Sequence, residues 1–155
     1  MELVTGGAGF IGAHLVDALV AQGKRVRVLD NFSSGREEFL AHHGEQVEVV
    51  RADRLDLNAT KAAMEGVETV HHMAANPDIR LGTELTDTDL RQGTVATYNV
   101  LEAMRSAGVP RISFSSSSAI YDEADVIRTP ETCIPLKPIY LYGLSKLASL
   151  GLISV

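Results

Sequence analysis

Tyr142 and Lys146 stand four residues apart in a stretch, from about Ile139 onward, whose pattern predicts a helix, so their side chains share a face. Tyrosine alone is a poor base at neutral pH, with an ordinary pKa of about 10. A neighbouring ammonium favours its phenolate. A phenolate can take a proton from an alcohol while a hydride leaves the same carbon. In isolation Tyr-x-x-x-Lys is a weak signal, because exposed i,i+4 pairs of this kind are common by chance. Its weight comes from what precedes it. Ser115-Ser116-Ser117-Ser118 closes a predicted strand, and ligands of open parallel sheets bind outside the carboxyl ends of strands. A hydroxyl there can bridge a substrate oxygen and the tyrosine. Hydroxyls bonded to backbone are the plainer reading for most of the four.

The second cluster is glycine-rich. Thr5-Gly6-Gly7-Ala8-Gly9-Phe10-Ile11-Gly12 holds Gly-x-Gly-x-x-Gly at Gly7, Gly9 and Gly12, and Gly-x-x-Gly-x-x-Gly at Gly6, Gly9 and Gly12. Between a strand and an amphipathic helix, such a turn lets backbone N–H groups approach a pyrophosphate, and the helix N-terminus adds partial positive charge. Asp30 ends the next strand, 18 residues after Gly12. A carboxylate there accepts from both hydroxyls of an adenosine ribose and repels a 2′-phosphate, which favours NAD over NADP. Arg36 nearby is read as a solvated charge that could soften the preference. With a dinucleotide motif upstream, Tyr142 and Lys146 read as a proton-transfer pair working beside a nicotinamide. His71 and His72 have no partner at metal-ligand spacing, so no metal site is expected.

Positioning these groups needs parallel strands with helical crossovers, and the apolar runs supply both. Strands are expected at Glu2–Thr5, Val26–Leu29, Val47–Val50, Thr69–Met73 and Arg111–Ser115. Helices are expected at Ile11–Gln22, from a cap at Asn58 to Glu65, at Thr88–Ala107, and from Ile139 towards the C-terminus. Asn76–Asp87 and Asp122–Pro138 read as irregular. No stretch resembles a linker, so residues 1–155 read as one doubly wound α/β domain. The net charge of −6 argues against nucleic acid or anionic membrane as a general partner. No apolar run approaches the roughly 20 residues needed to span a bilayer. No signal peptide is expected ahead of the first motif, and Cys133 as sole cysteine suits a reducing, cytoplasmic setting.

Together these pieces resemble the extended short-chain dehydrogenase/reductase family, in its NAD-dependent nucleotide-sugar epimerase/dehydratase branch. The resemblance rests on the glycine turn, Asp30-Asn31, Asp53, His72-Met73-Ala74-Ala75, Thr97-Tyr98-Asn99-Val100-Leu101-Glu102-Ala103, Ser115-Ser116-Ser117 and Tyr142-Gly143-Leu144-Ser145-Lys146. Ala74-Ala75-Asn76-Pro77-Asp78-Ile79-Arg80 and Thr129-Pro130-Glu131 are most similar to UDP-glucose 4-epimerases of the archaeal type. The resemblance implies a Rossmann domain with NAD as cofactor. Catalysis would fall to Tyr142 as base and acid, Lys146 as its pKa-lowering partner and ribose ligand, and Ser117. Cofactor contacts would come from Gly6, Gly9, Phe10, Ile11, Gly12, Asp30, Asn31, Ser34 and Gly35. Further contacts would come from Asp53 (to the adenine amino group), Arg54, Ala74, Ala75 and Ser115, besides Tyr142 and Lys146. The implied reaction oxidises the sugar at C4, lets the ketosugar rotate, and returns the hydride to the other face.

The same resemblance implies differences. Family members run to roughly twice this length, so a truncated domain lacking its substrate domain is expected, one that binds a UDP-sugar poorly and does not turn over unaided. Gly93 stands where the family has an asparagine, Asp122 where it has glycine, Arg54 where it has an apolar residue, and Tyr140 where it has a small polar one. Dehydratases of this branch carry Asp-Glu after the catalytic threonine, whereas Ser118-Ala119 follow Ser117, which argues against dehydration. An NAD-binding module without turnover, or another nucleotide-sugar dehydratase or reductase, remains the alternative. The family pairs two helices per subunit, which implies a homodimer through Thr88–Ala107 and Ile139–Val155.

Overall fold

A computed structural model describes residues 1–121 and 128–155; Asp122, one of the departures noted above, lies outside the described residues. The chain divides into two compact units, Met1–Ala75 with Asn99–Ser115, and Asn76–Tyr98 with Ser116–Val155. Among the described residues the strands are β1 (Glu2–Thr5), β2 (Val26–Asp30), β3 (Val47–Arg51), β4 (Thr69–His72) and β5 (Arg111–Phe114). The helices are α1 (Phe10–Ala21), α2 (Leu57–Ala62), α3 (Leu81–Glu84), α4 (Ala96–Ala107) and α5 (Leu141–Ile153).

The first unit is a five-stranded sheet in the order β3-β2-β1-β4-β5, parallel throughout. Successive strand residues point to opposite faces, and here both faces are covered. Leu3, Leu29 and Val70 pack with Met64 after α2 and with Val100, Ala103 and Met104 of α4. Val4, Val26 and Val28 pack with Val16 and Leu19 of α1 on the other side. This is the doubly wound α/β arrangement expected from the alternation of apolar runs. The chain leaves β1 towards β2 and β3, then crosses back to β4 and β5. The switch point therefore lies between β1 and β4, where open sheets of this kind bind ligands.

Local detail departs from the expected boundaries in three places. The cap of α2 is Asp56, not Asn58: its Oδ1 accepts from the backbone N–H of Asn58 at 2.9 Å and of Ala59 at 3.0 Å. An acceptor two residues upstream outcompetes an amide already inside the first turn. The long helix expected from Thr88 is interrupted, with a π-helical turn over Leu90–Val95 ahead of α4. The segment expected to be irregular between Asn76 and Asp87 contains the single turn of α3.

In the second unit α5 packs on that π-helical turn and on a 3-10 turn at Ser118–Ile120. Small residues make the approach possible. A Cβ on Gly143 would lie 2.4 Å from the Ala119 carbonyl oxygen, and one on Gly93 would lie 2.5 Å from Ser145 Oγ. Ser145 Oγ donates to the Tyr142 carbonyl at 2.8 Å, and Ser149 Oγ donates to the Ser145 carbonyl at 2.8 Å. Gly151 on the same helix faces open space. Two alanine substitutions on one helix should therefore diverge. Gly143→Ala should lower stability by about 1–3 kcal/mol through overpacking against fixed backbone. Gly151→Ala should be neutral or stabilising by up to about 1 kcal/mol through helix propensity. Urea denaturation of both variants checks this, and equal effects would refute the close approach at Gly143.

Candidate active site

The glycine turn in the first unit joins β1 to α1. Gly6 takes φ of 70°, and a Cβ there would lie 2.6 Å from Ala74 Cα at the end of β4. A Cβ on Gly12 would lie 2.1 Å from the Gly6 carbonyl oxygen, so the first turn of α1 sits directly on the loop. Gly7 has a different task, since its Cα is pressed against Val28. No side chain caps α1, and its leading N–H groups lack intrahelical partners by geometry. Phe10 and Ile11, which open α1, are 73% and 66% exposed.

Asp30 is buried, and both carboxylate oxygens are engaged. Oδ2 accepts from the Ala8 N–H at 3.0 Å, and Oδ1 accepts from the Phe32 N–H at 2.8 Å. These two bonds leave room for further donors, because an ionised carboxylate offers about four acceptor sites. Arg36 N–H donates to the Ala8 carbonyl at 2.9 Å, and Gly35 lies against Ala8, so the loop after β2 folds onto the glycine turn. Ser34 in that loop is exposed. Asn31 Nδ2 donates to Asp53 Oδ2 at 3.0 Å, while Asp53 Oδ1 accepts from the Leu55 N–H at 2.8 Å.

Arg54 is buried, and its Nη1 has no hydrogen-bond partner among the described residues. Burial pulls its guanidinium down from the ordinary value, with Asp53 and Asp30 opposing. Two carboxylates thus explain how a cation is tolerated at an otherwise apolar position. A cleft of about 370 Å³ borders this region, lined by Phe32, Gly35, Arg36, Glu37, Glu38 and Arg51. Sequence reading missed one organiser here. Asn99 of α4 donates through Nδ2 to the carbonyls of Arg54 at 2.9 Å and Leu55 at 3.2 Å, fixing the loop that carries Asp53. An asparagine at a buried helix position was the available signal.

Also in the first unit, Ser115 donates through Oγ to the His72 carbonyl at 3.3 Å, the backbone-bonded reading of a strand-end serine. His72 is buried, pairs through Nδ1 with Thr5 Oγ1 at 2.6 Å and stacks on Phe114. His71 pairs with Glu2 at 3.0 Å. Both histidines have structural partners. Ala74 and Ala75 are partly buried just past β4.

The second unit brings Ser117, Tyr142 and Lys146 together. The Ser117 hydroxyl is a hydrogen-bond partner of the Tyr142 hydroxyl and accepts from the Ala119 N–H at 3.1 Å. Lys146 is buried, with Nζ 5.8 Å from the Tyr142 ring centroid. Burial raises the Tyr142 pKa above its ordinary value, the charge of Asp89 adds to the rise, and Ser117 opposes both. The surroundings therefore keep the phenol protonated, the reverse of the lowering expected from Lys146. Asp89 was not anticipated. It is buried, accepts from Asn76 Nδ2 at 3.1 Å, and leaves Oδ2 without a hydrogen bond among the described residues. Nothing in its local sequence marks it as more than a helix-start acid. Gly93 presses on Ser145 one residue before Lys146, so its missing side chain gives close packing here rather than a gap.

Comparison with known proteins bears on both units. Residues 2–153 match the model of the NAD dependent epimerase/dehydratase family. The UDP-glucose 4-epimerase of Mycolicibacterium smegmatis is 37% identical over 150 residues, covering 94% of this chain and 48% of that protein. A solved UDP-galactose 4-epimerase is 46% identical with a TM-score of 0.88, covering 97% of this chain and 49% of the other. The Thermus thermophilus UDP-glucose 4-epimerase, solved in complex with NAD, is 36% identical with a TM-score of 0.91 over 99% of this chain and 49% of the other. The chain spans about half the length of the curated relatives it matches. No helix among the described residues is long and apolar enough to cross a membrane. With glycine turn, switch-point sheet and Ser-Tyr-Lys cluster all accounted for, the chain belongs to the NAD-dependent epimerase/dehydratase family.

Proposed function

We propose that residues 1–155 act as one NAD-binding domain that supplies the cofactor cradle and the proton-transfer group of a nucleotide-sugar 4-epimerase of the UDP-glucose/UDP-galactose type. The observation that carries this reading is the hydrogen bond between Ser117 and Tyr142 with Lys146 one turn further along α5, in a chain of an NAD-dependent family. Bound NAD would supply reversible hydride acceptance at a sugar carbon.

The residues present suit that cofactor. Gly6 and Gly12 leave no space for a Cβ, and a turn so bare of side chains would let a pyrophosphate approach the backbone and the start of α1. Asp30 retains acceptor capacity for ribose hydroxyls, Asp53 for an adenine amino group, and Arg54 keeps an unused donor in Nη1. Asn31, Ser34 and Gly35 would border the adenosine, Ala74 and Ala75 the middle of the cofactor, and Ser115 its nicotinamide end. Ser117 would hold the substrate hydroxyl against Tyr142. Tyr142 would take and return that proton, with Lys146 binding the nicotinamide ribose. A second reading, an NAD-holding module without turnover, is favoured by one observation: burial and Asp89 keep Tyr142 protonated. The epimerase reading therefore needs the positive charge of the nicotinamide to lower the pKa of the phenol and favour the phenolate.

Three outcomes test this. In calorimetry the chain should bind NAD more tightly than NADP, and Asp30→Asn should narrow that gap about tenfold or more, one charge-assisted hydrogen bond being worth about 1.5–3 kcal/mol; equal affinities in the unmutated chain would mean that Arg36 and Arg51 outweigh Asp30. Without cofactor, the phenol of Tyr142 should ionise above about pH 10, read as the ultraviolet difference between the chain and Tyr142→Phe, and its midpoint should fall when NAD is added. Wherever conversion of UDP-glucose to UDP-galactose is measurable, Tyr142→Phe should cut it by about 10²–10⁴-fold with NAD affinity nearly unchanged, whereas retained activity would remove Tyr142 from the mechanism. A further outcome concerns assembly. Leu90, Val95, Tyr98, Leu144 and Leu152 are exposed on α4, α5 and the turn before α4, which supports a homodimer; light scattering that shows only monomer across concentrations would dismiss it.

A further inference from the structure

Asp17, His42 and His43 lie outside everything assigned above. Asp17 is on α1, and the two histidines are in the 3-10 segment Ala41–Gln46 between β2 and β3. His42 Nε2 is 3.0 Å and His43 Nε2 is 2.7 Å from the same oxygen, Asp17 Oδ1. All three ligand atoms lie within 4.8 Å of one another. The two imidazoles are packed with ring centroids 3.9 Å apart. The side chain of His43 is 8% exposed, that of Asp17 46% and that of His42 59%, so one ring is preset while the group stays open to solvent. Burial works against the charge of Asp17, yet hydrogen bonds from His43 and His42 hold its carboxyl below the ordinary value. A cleft of about 240 Å³ adjoins the group, lined by Ala13, His14, Asp17, Glu38, Phe39 and His42.

A simple ion pair needs one imidazole. Two rings converging on a single carboxylate oxygen put two nitrogen donors and one oxygen donor around one point. We propose that Asp17, His42 and His43 form a binding site for a transition-metal dication of the zinc type. Imidazole nitrogen with carboxylate oxygen suits zinc, cobalt, nickel or copper, whereas magnesium and calcium take oxygen ligands. Zinc bonds to nitrogen and oxygen run to about 2.0–2.2 Å. Tetrahedral ligands at that distance are about 3.3 Å apart, so the two nitrogen–oxygen separations of 3.0 and 2.7 Å need to open by roughly 0.3–0.6 Å. On binding, each neutral imidazole carries its proton on Nδ1 instead of Nε2, and an imidazolium also releases one proton to water, so that the Nε2 lone pair turns to the ion. The open cleft leaves room for water as fourth ligand. The ligands come from positions 17, 42 and 43, so the ion would tie the connection between β2 and β3 to α1, and its binding would stabilise the fold by mass action.

The test uses the 155-residue chain without an affinity tag, with cobalt(II) and zinc(II) as probes and no dinucleotide present. One equivalent of cobalt should give the visible absorption of a low-symmetry site, and zinc should displace it. Zinc at about a hundred times its Kd should raise Tm by about 5–10 °C. His42→Asn, His43→Asn and Asp17→Asn should each weaken binding about tenfold or more, while His14→Asn should leave it unchanged. In the wild-type chain, the imidazole NMR signals of His42 and His43 should move on zinc addition, which keeps the test decisive if a variant fails to fold. Binding that survives all three substitutions, zinc-induced shifts confined to His14, His71 or His72, or no saturable binding at all would overturn the proposal.

Discussion

The carboxylate of Asp30 is the tie on which the loops of the first unit depend. One oxygen holds the Ala8 N–H of the glycine turn, and the other holds the Phe32 N–H just beyond β2. It thereby fixes the loop after β1 to the loop after β2. The Arg36 N–H closes the same junction from the other side through the Ala8 carbonyl. A buried charge of this kind is costly unless its oxygens are paired. Backbone donors satisfy that demand locally, and Arg54 supplies opposite charge nearby.

Arg54 extends the same logic. A buried guanidinium in an apolar position would ordinarily be a liability. Here Asp53 and Asp30 flank it, and its backbone carbonyl is held by Asn99. The result is a small ionic cluster at the carboxyl ends of β2 and β3, with Arg54 Nη1 uncommitted among the described residues. Such a cluster suits a polar, hydrogen-bonding ligand better than an apolar one.

The second unit solves a different problem, which is how to bring a helix close enough to set three side chains. Gly143 against Ala119, Gly93 against Ser145 and Ser149 within 3.3 Å of Thr97 Oγ1 form a seam of small residues. The seam locates Tyr142 and Lys146 on α5 and meets the 3-10 turn that begins at Ser117. It does not lower the Tyr142 pKa. Burial and Asp89 raise it, and the Ser117 hydrogen bond opposes them.

The sequence by itself determined whatever depends on near neighbours in the chain. The glycine turn, the alternation that covers both faces of the sheet, Asp30 at a strand end, and the Tyr142–Lys146 spacing were all legible, because a turn, a strand or one helical turn spans only a few residues. Element types followed for the same reason, while the Asp56 cap and the π-helical turn at Leu90–Val95 turned on competition between adjacent candidates that pattern alone does not resolve. Only the tertiary structure decided what distant residues do to one another: that Asp30 grips Ala8, that Asp89 is felt at Tyr142, that Gly93 admits Ser145, and that Asp17 meets His42 and His43. Electrostatics and close packing act through space, and no local period encodes which remote side chain the fold will place within a few ångströms.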